Sequence, residues 1–331
     1  MGQGLAMAAV AAALGAGAAG AQEAPLEVVA TVGMLADVAR EVGGDCAEVT
    51  ALMGPGVDPH LFQPSAGDVR ALGGADIILY AGLSLEGQLG EVLERFAETK
   101  PTLAVAEAAV PEEDRLAPAG AEAEGGGAYA WDPHVWMDAS LWARAAEPIA
   151  EALAEARPAC ADGFAERAAA YRDQLLALHD WAAESVATIP EGARVLVTAH
   201  DAFAYYGRAY GIEVEGVQGI STEAEAGVAD IRAMADLVAE RGVPAVFVES
   251  TINPRTVQAV IDAAAERGHA VALGGELLSD ALGAEGAPEG TYIGMIHANT
   301  TRIVEALGGA PAALPEALAP WAERWDLAKA P

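Results

Sequence analysis

The sequence predicts an α/β protein of two doubly wound lobes joined by a single long, rigid helix. Three observations carry this reading. Both halves of the chain alternate short β-rich apolar runs with helical patterns, the order expected of parallel sheets flanked by helices. Between them lies "ACADGFAERAAAYRDQLLALHDWAAESVATIP", Ala-rich and free of Gly and Pro from Phe164 to Ile189, which has the length and propensity of one extended helix. The 331 residues, 53% of them hydrophobic, suffice for two cores of ordinary size.

The elements follow in order. "LEVVATVG" precedes "MLADVAREVGG", "AEVTALMG" leads into "VDPHLFQPS", "ADIILYAG" precedes "LEGQLGEVLERFAE", and "TLAVAE" closes the first series. The second runs "ARVLVTAH" and "DAFAYYGRAYG", "IEVEGVQG" and "VADIRAMADLVAERG", "PAVFVES" and "RTVQAVIDAAAERG", then "HAVALGG". The expected units are a first lobe over 26–155, a connecting helix over 160–190 and a second lobe over 192–331. The acidic, Gly-rich "PEEDRLAPAGAEAEGGGAYA" reads as a mobile loop.

Residues 1–21 read as a secretory signal peptide, with no charged residue before Glu23 and the small-residue pattern Ala19-Gly20-Ala21 for cleavage. A membrane anchor fits less well, because the stretch is rich in Gly and Ala. No Cys stands near the cleavage site, so no lipobox is expected and the product is periplasmic. The net charge of −31, from 49 acids and 18 bases, argues against nucleic acid, which needs a basic footprint. The plain reading of that acidity is a solvated surface. Cys46 and Cys160 are the two cysteines. Export would allow them to pair, and the sequence does not decide whether they do.

Two stretches repeat one turn: "VDPHLFQPS" and "WDPHVWMD". In each, proline fixes its own φ and pushes the preceding aspartate toward extended geometry, so His60 and His134 sit on stiffened turns. Ser65 and Asp68 form a capping-box pattern after the first, and Asp138 is the expected N-cap after the second. His200 ends the apolar run "RVLVTAH", at the carboxyl end of a buried strand, where open α/β sheets bind ligands. Three histidines at element ends could converge on the cleft between lobes, and imidazole suits Zn2+, Fe and Mn. A fourth ligand could come from Glu249 in "VFVESTINP" or Asp280 in "GGELLSDALG", and chemistry alone leaves both open. A lone loop histidine is commonly structural, and His179, His269 and His297 are read as surface or packing residues.

Taken together, "VDPHLFQPS", "WDPHVWMD", "TAHDAFAYYGRAYG", "GVQGISTEAEAGVADI" and "LLSDALG" with "EGTYIGMIHANT" resemble the metal-binding receptors of bacterial zinc and manganese ABC importers, the cluster A-I, TroA-like family. The likeness runs from about Glu27 to about Gly309. It implies a metal buried in the cleft between two lobes, with His60, His134, His200 and Asp280 as ligands and Glu249 as a supporting partner. It also implies a membrane permease as partner, with its cytoplasmic ATPase engaged indirectly and the receptor itself a monomer. In manganese-dedicated relatives a glutamate matches His200, so histidine here points to zinc-type members. Yet zinc-type receptors often carry a His-rich loop before the second ligand, and "EEDRLAPAGAEAEGGGAYA" has no histidine. Zn2+ and Mn2+ remain level, with Fe2+ within the same donor chemistry. The rival from another class is a zinc-dependent metallohydrolase using the same histidines, with Glu249 as general base. The absence of H-E-x-x-H and of a G-x-S-x-G elbow around Ser84 argues against it. An adhesin with an incidental metal has no separate signature.

Overall fold

The computed structural model describes residues 24–118 and 129–327, so the expected signal peptide, residues 119–128 of the acidic segment and residues 328–331 lie outside the described residues. The first half is built on four parallel strands, β1 (Leu26–Ala30), β2 (Ala47–Ala51), β3 (Ile77–Tyr80) and β4 (Thr102–Ala104), in the order β2-β1-β3-β4. Parallel neighbours need crossovers, and helices Gly33–Gly43, Ala66–Gly74 and Gly90–Ala97 stand between successive strands. The inner strands β1 and β3 are mostly buried, whereas the edge strand β2 alternates between half-buried and exposed. That is the pattern of a sheet covered on both faces.

The second half repeats the plan. Strand β5 (Val195–His200) pairs in parallel with β6 (Glu213–Gln218), β7 (Ala245–Glu249) pairs with β8 (Ala272–Leu277), and β5 lies beside β7. The two pairs are separate two-stranded sheets, and with β5 beside β7 the spatial order β6-β5-β7-β8 corresponds to that of the first half. All six residues of β5 are buried, so the histidine at its end enters the interior.

The long helix runs Ala161–Ala187. It stops before residue 190 because Ile189 precedes Pro190, and a residue before proline is disfavoured in helical geometry. Its 27 residues span about 40 Å at 1.5 Å per residue. Phe164, Ala168, Tyr171, Leu175, Leu178 and Ala182 form its buried stripe. That stripe packs on helices Gly33–Gly43 and Ala146–Ala156 from one half and Tyr292–Ala306 from the other. Asp37, buried on the first of these, ties all three sides together: it accepts from Tyr171 Oη at 2.7 Å and from the Tyr292 N–H at 3.0 Å. Among the described residues no helix is long and apolar enough to cross a membrane.

Cys46 and Cys160 form a disulfide across 114 residues of sequence, joining the turn before β2 to the head of the long helix. Closing a loop of that length in the unfolded chain restricts it strongly. Paired Cys46→Ser and Cys160→Ser substitutions should therefore lower stability by roughly 2–4 kcal/mol, read as a drop in denaturation midpoint that reductant reproduces in the unsubstituted protein.

Candidate metal centre

The repeated Asp-Pro-His turn has one construction in both copies. Asp58 Oδ1 accepts the His60 N–H at 2.9 Å, and Asp132 Oδ1 accepts the His134 N–H at 2.9 Å. Each is an aspartate bonded to the backbone two residues on, a turn the intervening proline stiffens. The helices that follow start as their sequences suggest. Ser65 and Asp68 form a reciprocal capping box, and Asp138 accepts from the Ser140 and Leu141 N–H groups. Close approach at the first turn needs glycine: Gly87 has φ +44°, and a Cβ there would lie 2.7 Å from the His60 carbonyl oxygen.

His200 is the last residue of β5, and Asp280 stands just beyond β8. The loop bearing Asp280 is pinned from two sides. Asn299 accepts from Leu278 N–H at 2.9 Å and donates to its carbonyl at 2.7 Å. Trp136, two residues after His134, donates its indole N–H to the Ser279 carbonyl at 2.9 Å.

These elements bring His60, His134, His200 and Asp280 together with one potential ligand atom each, all within 4.8 Å of one another. None of the four is more than 2% exposed. Asp280 Oδ1 lies 3.3 Å from His134 Nε2, and Oδ2 lies 3.2 Å from His200 Nε2 and 3.6 Å from His60 Nε2. The other ring nitrogens are engaged. His134 Nδ1 is 2.7 Å from Asp132 Oδ1, His200 Nδ1 is 2.6 Å from Glu249 Oε2, and His60 Nδ1 is 3.0 Å from Tyr129 Oη. An acceptor at Nδ1 keeps the proton there and leaves the Nε2 lone pair facing inward. Three imidazoles and one carboxylate are a donor set that could hold Zn2+ or a neighbouring divalent transition metal.

Electrostatics separate the three rings. Burial works against charge at His134, but Asp132 and Asp280 outweigh it and raise its pKa to about 9. Burial likewise opposes a charged His200, and Glu249 with Asp280 holds it well above the ordinary imidazole value. At His60 burial prevails, and with repulsion from the other two rings it lowers the pKa to about 3 despite Asp280. Burial favours a neutral Asp280, yet His200 and His134 hold it well below the usual carboxylate range.

The family model described as "Zinc-uptake complex component A periplasmic" matches residues 28–306. The chain belongs to this family. It is 46% identical over 282 residues to the manganese-binding lipoprotein MntA of Bacillus subtilis, covering 85% of this chain and 90% of that protein. It is 44% identical over 280 residues to the zinc-binding protein TroA of Treponema pallidum, covering 85% and 88%. The solved structure of that periplasmic protein superposes with a TM-score of 0.81 over 86% of this chain and 99% of its own. The iron-binding protein YfeA of Yersinia pestis is 31% identical over 282 residues, covering 85% and 86%.

Within this family member, the histidines read as structural stand apart from the cluster. His297 stacks on Trp181 at 4.9 Å, and His179 Nδ1 lies 3.4 Å from Asp138. His269 Nε2 reaches the Val243 carbonyl at 2.8 Å, and it precedes β8 by three residues instead of opening it, since Gly268 at φ +83° is still turning the chain. Glu249 lies outside the four-residue group and behind His200. Sequence reasoning missed two supporting residues. Asp132 was visible in the repeated turn itself, whereas Tyr129 lay in a segment read only as a loop. Loss of either buried carboxylate behind a ring, by Asp132→Asn or Glu249→Gln, should weaken metal affinity about 10- to 100-fold, measured by competition against a chelator of known affinity.

Proposed function

We propose that this chain is an extracytoplasmic receptor that binds Zn2+ or Mn2+ through His60, His134, His200 and Asp280 and delivers it to the permease of an ABC importer. The observation that carries this reading is the buried Asp280 carboxylate, with three Nε2 atoms converging on its two oxygens at 3.2 to 3.6 Å. Family membership supports the function, and relatives whose names specify manganese, zinc and iron support a divalent transition metal as cargo, with Fe2+ within the same donor chemistry. Residues 1–21 would direct export, and the receptor would act as a monomer with the cytoplasmic ATPase reached only through the permease.

The first half supplies His60 and His134, and the second supplies His200 and Asp280. Two donors bind such an ion weakly, whereas four in a dry site bind it tightly. Closure thus completes the shell, and opening by the permease halves it. The connecting helix and the lobes at 26–155 and 192–331 would be the units of that motion. A hydrolase would need Glu249 free as a base, but its Oε1 accepts the His200 N–H at 2.9 Å and its Oε2 lies against His200 Nδ1. The family is one of binding proteins.

Titration of the chelator-stripped protein with Zn2+ and with Mn2+ should give one tight site per chain, weakened by several orders of magnitude in His200→Ala. No tight site for either metal would overturn the assignment. Imidazoles must be neutral to coordinate, so bound metal competes with protons. His134 and His200 are the rings held above the ordinary value, which means protons leave as metal enters. Affinity should therefore fall as pH drops from 8 to about 5, and calorimetry in buffers of different ionisation enthalpy should register proton release on binding near neutral pH.

A further inference from the structure

The three histidines are not supported alike. His134 leans on Asp132 of its own turn, and His200 leans on Glu249 at the end of the neighbouring strand β7, within the same half. Both supports of His60 lead across the cleft. Tyr129 Oη, 3.0 Å from His60 Nδ1, also lies beside the Ser221 side chain. Asp58, which takes the His60 N–H on Oδ1, accepts the Thr222 hydroxyl on Oδ2 at 2.6 Å. Ser221 and Thr222 are consecutive residues in the loop between β6 and helix Val228–Arg241 of the second half. Thr222 is buried, and Tyr129 and Ser221 are half-buried.

We propose that Ser221 and Thr222 form a clasp that fixes the His60 ring only when the halves are closed, so that His60 is the last ligand to engage the metal and the first to leave. The proposal rests on the receptor reading and specifies how release from that site is controlled. His134 and His200 keep their carboxylate partners whether or not the halves touch, so they stay aimed and can meet an incoming ion. With the halves apart, Tyr129 loses its contact with Ser221 and Asp58 loses the Thr222 hydroxyl, leaving His60 and its turn without the cross-cleft contacts that steady their supports. The clasp then acts after the ion has been met. Tyr129 and Thr222 are positioning residues: neither offers an atom to the four-ligand group, and each acts through His60.

The test is stopped-flow transfer of Zn2+ from the loaded mature protein to excess chromophoric chelator, paired with the association rate of the stripped protein. Loss of one such hydrogen bond changes an equilibrium by roughly 3- to 10-fold. Tyr129→Phe and Thr222→Val should each accelerate release by about that factor while altering association less than about twofold, and Thr222→Ser should restore slow release. Release at the unsubstituted rate in both Tyr129→Phe and Thr222→Val overturns the clasp, as does slowed association with release unchanged. Thr222→Ala, which removes the same cross-cleft hydroxyl without adding bulk, decides the matter if Thr222→Val fails to fold, and release at the unsubstituted rate in it overturns the clasp. Absence of bound Zn2+ in the unsubstituted protein would instead sink the receptor reading on which the clasp depends.

Discussion

The site depends on one constraint: a carboxylate cannot remain buried and unpaired. Asp280 is 1% exposed, and its two oxygens face three imidazole nitrogens at 3.2 to 3.6 Å. Trp136 and Asn299 hold the backbone before it and keep the side chain in the interior. Positive charge has to come to it. Without a metal ion that charge is a proton on His134 or His200, both pushed upward by their carboxylate neighbours. A divalent ion supplies the charge better, since it meets both Asp280 oxygens and three lone pairs together. Asp132 and Glu249, 1% and 2% exposed, add negative charge behind two rings and deepen the preference for a dication.

That constraint also explains the architecture around it. The four residues of the cluster come from separate places: two turns ahead of helices, one strand end and one loop after the last strand. Each half alone contributes two. Repetition of a single strand order in both halves places carboxyl-end loops on each side of the cleft, and the helix Ala161–Ala187 packs on elements of both. A flexible linker would allow many closed arrangements. A continuous 27-residue helix, pinned through Tyr171 to Asp37 and thence to Tyr292, restricts the halves to a narrow range in which four donors can meet.

Much of this was legible in the chain because it is written in short-range chemistry. Alternating strand and helix patterns, the Gly- and Pro-free run from Phe164 to Ile189 and the capping box at Ser65 are local signals, and local physics realises them. The repeated Asp-Pro-His turn announced two histidines with one backbone geometry, and "RVLVTAH" announced a third at a strand end. The choice of Asp280 over Glu249 was not local. Both are acids near strand ends, and only the packing of β7 against β5 puts Glu249 behind a ring instead of before it. The Cys46–Cys160 pairing, the bond from Thr222 to Asp58 and the reach of Tyr129 to His60 likewise depend on segments far apart in sequence meeting in space. No periodicity or spacing encodes such meetings.

The supports behind the rings bear on which metal the site favours. Three imidazoles suit Zn2+ in tetrahedral geometry, whereas Mn2+ prefers more oxygen and higher coordination. Here both oxygens of Asp280 face the rings, Oδ1 toward His134 and Oδ2 toward His200 and His60. The carboxylate is therefore oriented to bind through one oxygen or through two. Donor identity alone does not separate the metals, and the discriminating quantity is how far the rings can spread around a larger ion. His134 and His200 are held by buried carboxylates at 2.7 and 2.6 Å and have little freedom. His60 is held by a neutral phenol at 3.0 Å, and its turn is held through Asp58 by the Thr222 hydroxyl of the opposite half, the softest support of the three. Under the proposed clasp, accommodation of a larger ion falls on His60, the same residue that would respond to closure.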